Sequence, residues 1–492
     1  MAKNRRHLKW LTLLRLLVLL LGITALTMAP ALILALVLEE KAMVRAFVPV
    51  MGTALAAALP VFFTFRRESL NLSHRDGFLL VFLAWVFASL MGAFPYYLSG
   101  GSGGTAINMT DAVFESVCGF ATTGATTLAD VESLPRSLVL WRSMSHWFGG
   151  MGIVLLMVAL MPLLGVGGFQ LIKAETPGPE KEKVTPKITS TAKILWFVYC
   201  ILTAALTVLF LLGGMPFFDA LCHAFTTMAS GGVSTKNAGL AYYNSAFIDG
   251  TAAVFMLLAG FNFNLYYRLL RGKIKDVLIN TEGRAYLFIF ITAAGIITFA
   301  LTPVYGSAGT ALRYAAYHAA SILSTTGSAI VDYETWPVTA KGVLFCLMFI
   351  GGCSGSTAGG VKVIRHVVLW KQAGNELRRS IFPRGVFGVQ LNRKVGRRDV
   401  IYGAAGFTAL YGLVTAALTL IAAASGTDVF SSFSAALSVT GNAGVGFGAI
   451  GPSKNYAAFA DHLKWIYSFV MIAGRLELWT VFILFTPEFW RR

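Results

Sequence analysis

The chain has 492 residues, 56% of them hydrophobic and 13% charged, with a mean hydropathy of +0.69. No soluble domain hides that much apolar surface, and several apolar runs reach the roughly 20 residues that cross a bilayer, so this is an integral membrane protein. The net charge of +17 does not indicate nucleic acid, because the basic residues lie between apolar spans rather than along one surface helix or aromatic groove.

In chain order, Lys3, Arg5 and Arg6 precede an apolar run over 8–38, and Lys9 stands at its start. It is much longer than the roughly 7 to 15 residues of a signal h-region and is expected to be an uncleaved anchor. A second run, 46–65, completes a two-span leader over 1–72. Four units follow, 73–187, 188–283, 284–397 and 398–492, each with a span, a short helix-like stretch, a polar pentapeptide and a second span. The expected spans are 79–98 and 139–164, 194–212 and 247–270, 285–301 and 342–352 onward, and 400–424 and 462–485. The fold class is an all-α polytopic membrane protein of about ten crossings and four half-helices. The linker 174–185, with Pro-Gly-Pro and mixed Lys and Glu, reads as a cytosolic loop.

The basic clusters orient the chain. Arg66, Arg67 and Arg75, the stretches 173–193, 268–275 and 362–398, and Arg491 with Arg492 all lie between repeats or at the termini. The positive-inside bias makes those segments cytoplasmic, with both termini inside, and turns all four pentapeptides outward. Such a parallel arrangement suits a pore.

The pentapeptides are Thr122-Thr123-Gly124-Ala125-Thr126, Ser230-Gly231-Gly232-Val233-Ser234, Thr325-Thr326-Gly327-Ser328-Ala329 and Asn442-Ala443-Gly444-Val445-Gly446. Carbonyls of successive residues aim at one axis only where a residue takes a conformation that a Cβ penalises, which the central glycine permits. Ordinary turns are the bland reading, and four equivalent positions argue against it. Asp111, Asp219 and Asp428 stand where N-caps are expected, each before an apolar stretch too short to cross. The 13 residues from Asp111 to Gly124 match those from Asp219 to Gly232, whereas Asp428 to Gly444 is 16 and repeat three has no Asp cap. The C-terminal ends of such half-helices carry about half a negative charge each and favour a cation.

Within the second span of repeat three, five glycines occur in the ten residues 351–360, among them Gly352, Gly355, Gly359 and Gly360, with Ser354 and Thr357 between. This cannot be stable helix in lipid and is expected to form a mobile loop below the pentapeptides. Gly352-Cys353-Ser354-Gly355 has the GxSG pattern of rhomboid-type intramembrane serine proteases, but such an enzyme needs none of the four glycine segments. Arg475 lies about 20 Å of helix into the last span, where a cation must face a cavity or a partner. Glu115, in the first half-helix, either bonds backbone amides of the pentapeptide or binds ions. Five scattered cysteines indicate neither disulfides nor zinc and read as apolar filler.

The contexts DAVFESVCGFATTGAT, HWFGGMGIVLLMVALMPLLGVGGFQLIKAETPGP, FTTMASGGVSTKNAG and AGRLELWTVFILFTPEFWRR resemble the Trk/Ktr/HKT superfamily of potassium transport proteins over essentially the whole chain. The resemblance implies a pore within one protomer, a homodimer, and potassium as the main ion. It also implies a cytosolic ring of nucleotide-binding RCK-type subunits (TrkA-like). It makes 351–360 the gating loop and places the basic residue Arg475 under the filter, opposing cation passage. Filters one to three lack the aromatic and second glycine of the potassium-channel TVGYG. The expected function is potassium translocation across the bacterial inner membrane, channel-like and without enzymatic activity or an organic cofactor. The alternative is a symporter coupling K+ to H+ or Na+, against which the spans hold few acidic residues for a relay.

Overall fold

The computed structural model describes residues 10–65, 73–99, 107–152, 188–392, 394–395 and 398–491. Among them, six helices are long and apolar enough to cross a membrane: Trp10–Val37, Lys41–Thr64, Arg75–Leu98, Ala192–Leu212, Thr281–Tyr305 and Arg398–Ala424. Their large side chains point outward where lipid is expected, as with Phe299, 84% exposed, while Arg75–Leu98 is the most buried of the set. The fold is polytopic and helical, as expected. The only strands among the described residues are the two-residue pair β1 (Gln390–Leu391) and β2 (Lys394–Val395).

Four short helices stand among these spans: Met109–Ala121, Phe217–Met228, Ala308–Leu323 and Val429–Gly441. Each packs against the outer span of its own repeat. The first three also pack on the inner helix of the preceding repeat: Met109–Ala121 on Asp461–Arg475, Phe217–Met228 on Arg136–Gly150, and Ala308–Leu323 on Ala246–Ala259. Val429–Gly441 reaches repeat three through Phe345, whose ring lies 5.9 Å from Phe430 and 6.1 Å from Phe433. The relation is cyclic.

The inner spans differ from the expected ones. The run 247–270 is two helices, Ala246–Ala259 and Phe263–Leu270, bent by 94°, and 462–485 breaks between Asp461–Arg475 and Leu478–Phe485 with a bend of 111°. With each bent pair taken as one span, the described residues give up to eight crossings. In repeat three Val338–Leu347 stops before the glycine-rich loop and Val363–Ile381 resumes after it. In repeat one Arg136–Gly150 ends at a glycine pair; the rest of 139–164 and the linker 174–185 lie outside the described residues. The breaks fall at Gly260 with Asn262, whose side chain caps the next helix, and after Gly474, where Glu477 takes φ +64°.

The caps also differ. Asn108, not Asp111, caps the first half-helix, its side chain accepting the Asp111 amide at 2.7 Å, and Pro216 precedes the second, leaving Asp219 in its first turn. Asp428 is a true N-cap and accepts the Ser431 amide at 2.9 Å; the Ser431 hydroxyl first, and this amide second, hold its carboxyl below the usual carboxylate range. That contribution is present at neutral pH and lost as pH falls through the depressed value. Measured from these positions, Asn108 to Gly124, Pro216 to Gly232 and Asp428 to Gly444 are each 16 residues. Repeat four is therefore not the long one. Repeat three is, with its Ser307 cap 20 residues before Gly327. Asn108→Ala is expected to destabilise the protein by about 1 kcal/mol, the usual worth of a side-chain cap, read as a lower Tm in detergent. Asn108→Asp, which keeps a side-chain oxygen on the Asp111 amide, is expected to retain the cap; an equal Tm loss in both variants would contradict the assignment.

Candidate functional site

Each half-helix ends in the same turn. The backbone N–H of Thr123, Gly231, Thr326 and Ala443 donates to the carbonyl five residues back, Cys118, Thr226, Ser321 and Ser438, at 2.8 to 3.0 Å. This is the longer bond of a Schellman cap, and it requires a left-handed residue just before the donor. That residue is Thr122 (φ +52°), Ser230 (+57°), Thr325 (+54°) or Asn442 (+53°), none of them glycine. Two positions on, Gly124, Gly232, Gly327 and Gly444 are also left-handed, at φ +61° to +79°. Gly231 is not, which supports Gly232 as the central glycine; Gly231 is small because a Cβ there would strike the His146 ring.

In three of the four repeats the side chain six residues before the glycine holds the turn. Thr226 Oγ1 donates to the Val233 carbonyl at 2.8 Å, Ser321 Oγ to Ser328 at 2.6 Å, and Cys118 Sγ to Ala125 at 2.7 Å. Cys118 is thus a hydrogen-bonding member of the motif rather than filler. In these three the carbonyl after the glycine is held this way, and in all four repeats the carbonyl before it lies against the neighbouring segment. A Cβ on Gly124 would meet the Gly231 carbonyl oxygen, one on Gly232 the Thr326 oxygen, one on Gly327 the Ala443 oxygen, and one on Gly444 the Thr123 oxygen. The four contacts close a ring. Among the described residues the Thr123, Gly231 and Thr326 carbonyls accept no hydrogen bond, while that of Ala443 accepts the Val445 amide at 2.9 Å.

On one side of the ring a cavity of about 510 Å³ is lined by the four glycines and by the returning loops, including Asn237, Asp332 and Asn455. Those loops brace one another. Asn237 bonds Asp130 at 2.7 Å and the Val131 amide at 2.8 Å, Tyr333 Oη donates to the Gly446 carbonyl at 2.6 Å, and the Tyr456 amide donates to the Thr126 carbonyl at 2.8 Å. Behind the first segment Glu115 accepts the Thr127 amide at 2.7 Å and Thr126 Oγ1 at 2.6 Å, which decides for amide bonding over ion binding at Oε1. Its other oxygen pairs with Arg142 at 3.0 Å, both side chains almost fully buried, and Arg142 Nη1 reaches the Ser234 carbonyl of repeat two at 3.4 Å. Sequence reading passed over Arg142, although a lone cation in the apolar run LVLWRSMSHW was signal enough. Asn442 Nδ2 joins segments four and one, donating to Thr123 Oγ1 and to the Met471 carbonyl, both at 2.9 Å.

On the other side lies the loop 351–360. Thr357 Oγ1 contacts Ser230 Oγ at 2.9 Å and the Met228 and Ala259 carbonyls at 3.1 Å, and the Gly359 amide donates to Thr325 Oγ1 at 2.7 Å. The Cys353 amide donates to the Gly260 carbonyl at 2.8 Å, and Phe263 N–H to the Gly355 carbonyl at 3.0 Å, so the breaks in repeats two and three satisfy each other. Gly352 has no room for a Cβ beside Ala358, while Gly355 and Gly360 take φ +72° and +69°. The Ser354 amide bonds Glu282. Arg475 Nη1 donates to the Thr357 carbonyl at 2.5 Å, and Nη2 to the Gly149 and Gly150 carbonyls at 2.7 and 2.5 Å. Nearby Glu477 pairs with Arg365 at 2.7 Å. The four glycine segments, the 351–360 loop and Arg475 lie together here, whereas Asp111, Asp219 and Asp428 stand at the opposite ends of the half-helices.

A family model described as the TrkH cation transport protein matches residues 45–492. The chain is 40% identical over 451 residues to the Trk system potassium uptake protein TrkH of Salmonella typhimurium, covering 91% of this chain and 92% of that one. To its namesake from Vibrio parahaemolyticus it is 38% identical over 487 residues, covering 98% and 99%. The crystal structure of the potassium transporter TrkH from V. parahaemolyticus matches with a TM-score of 0.87 at 35% identity, over 98% of this chain and 100% of that one. These relatives are named as transport proteins, not enzymes, and the protease reading of Ser354 falls away. With four glycine-centred turns closed into a ring and a family match over nearly its whole length, the chain belongs to the TrkH family of cation transport proteins.

Proposed function

We propose that this chain conducts potassium across a bacterial inner membrane along the axis of the four-glycine ring. The observation that carries this reading is the closed circuit of carbonyls from Thr123, Gly231, Thr326 and Ala443, each against the next segment's glycine. Oxygen rings of this kind replace the hydration shell of a monovalent cation. The C-terminal ends of four half-helices add partial negative charge at the same place. The uptake of potassium ascribed by name to the Salmonella and Vibrio relatives supports the choice of ion.

The loop 351–360 is the gate, with Arg475 as a fixed cation beside it that opposes passage. Its bonds to segments two and three support that role, since a loop tied to filter residues on one face obstructs the exit below them. Control comes from a cytosolic nucleotide-binding RCK-type subunit, and the protomers pair as a homodimer, with both termini on the cytoplasmic side. The partners follow from the family resemblance and the Trk system named for the relatives; the orientation follows from the basic clusters.

The Glu115–Arg142 pair sets the height of segment one against segment two. Removing one partner of a buried ion pair costs about 3–5 kcal/mol, so Arg142→Met is expected to lose most folded protein by thermal unfolding. Arg142→Met with Glu115→Gln together recover part of that loss. In liposome flux, Gly124→Ser and Gly232→Ser are expected to abolish uptake or admit sodium, because each new Cβ collides with a neighbouring carbonyl. Arg475→Ala is expected to raise flux. Unchanged potassium and sodium fluxes in all three would overturn the assignment.

A further inference from the structure

Glu282 stands in the first turn of Thr281–Tyr305, buried at 5% exposure, where a crossing helix has no use for a charge. Its Oε1 accepts the Ser354 amide at 2.7 Å and the Ile364 amide at 3.2 Å. Those two amides flank the glycine-rich loop, one near its entry and the other just past its exit. One carboxyl oxygen therefore ties the two strands of the loop together at its mouth. The residue before it is held in turn. Thr281 N–H donates to Asn392 Oδ1 at 2.9 Å, and the Asn392 amide donates back to Thr281 Oγ1 at 3.0 Å. Asn392 is the left-handed residue (φ +48°) that turns β1 into β2, in the segment between Val363–Ile381 and Arg398–Ala424. Only two residues, Thr281 and Glu282, separate that hairpin turn from the loop beneath the ring.

We propose that Glu282 is a positioning residue that latches the mouth of the 351–360 loop, and that the Asn392 turn, through Thr281, holds the latch in place. The proposal rests on the reading of that loop as the gate. Displacing the hairpin shifts Thr281, withdraws the Glu282 oxygen from the two amides and frees the loop to leave its contacts with Ser230 and Thr325. The physical basis is one continuous set of hydrogen bonds rather than proximity alone.

The loop carries its own probe, Cys353, which is fully buried, and two further buried cysteines, Cys118 and Cys222, lie outside the loop. In the full-length protein in liposomes, N-ethylmaleimide labelling of each cysteine is followed by peptide mass spectrometry, alongside potassium flux. Glu282→Ala is expected to accelerate labelling of Cys353 by about tenfold or more, the scale set by losing two hydrogen bonds, with Cys118 and Cys222 unchanged and flux raised. Asn392→Ala gives a smaller acceleration in the same pattern. Glu282→Asp, one methylene shorter, carries the same test should the alanine variant not fold. Unchanged Cys353 labelling in the Glu282 variants, whatever the flux does, overturns the latch. Equal acceleration at all three cysteines also overturns it, since that is general loosening. Faster labelling of Cys353 alone with unchanged flux upholds the latch and instead refutes the loop as gate.

Discussion

The molecule is organised around one steric fact: four stretches of bare backbone meet so closely that no side chain fits between them. Each central glycine lies against the carbonyl of the next segment, in the order one, two, three, four and back to one. That approach demands left-handed backbone at the glycine, and the Schellman turn behind it demands left-handed backbone again at a Thr, Ser, Thr or Asn. For non-glycine residues this costs about 1–2 kcal/mol each. The cost is offset by bonds that recur from repeat to repeat, from the carbonyls of Cys118, Thr226, Ser321 and Ser438 and, in three of the four, from the side chain at the same position.

The same constraint explains the inner spans. A helix that stops beside the ring leaves its last carbonyls without intrahelical partners in the middle of the membrane, so such a break is tolerated only where other protein groups meet it. Here the breaks meet one another. The carbonyls of Ala259 and Gly260 receive Thr357 and Cys353 of the neighbouring loop, and those of Gly149 and Gly150 receive Arg475 from the end of a third inner helix. Arg475 thus serves as a helix C-terminal cation and as a cross-link beneath the ring, a placement in which its charge is opposed by three carbonyl dipoles.

Much of this was legible in the sequence because glycine is the visible trace of a conformation. The central glycines and the broken span at 351–360 were found that way. The left-handed residues at Thr122, Ser230 and Thr325 were invisible, since nothing in a threonine or serine announces that a Schellman bond holds it there. Asp111 and Asp219 were mistaken for caps because an acid suits the first turn as well as the cap, and Asn108 and Pro216 gave weaker signals. The bends at 260–262 and 476–477 were masked by unbroken hydrophobicity, although Gly260 and Gly474 stood at them. Cys118 was taken for filler because its thiol donates only where a neighbouring carbonyl is placed for it.

If the ring's carbonyls hold a dehydrated cation, anomalous diffraction from crystals of the protein in which rubidium or thallium replaces potassium shows a peak on the axis, within coordination distance of the carbonyls of Thr123, Gly231, Thr326 and Ala443. A protein that conducts these ions yet shows them bound only elsewhere, with the ring empty, would contradict binding at the ring.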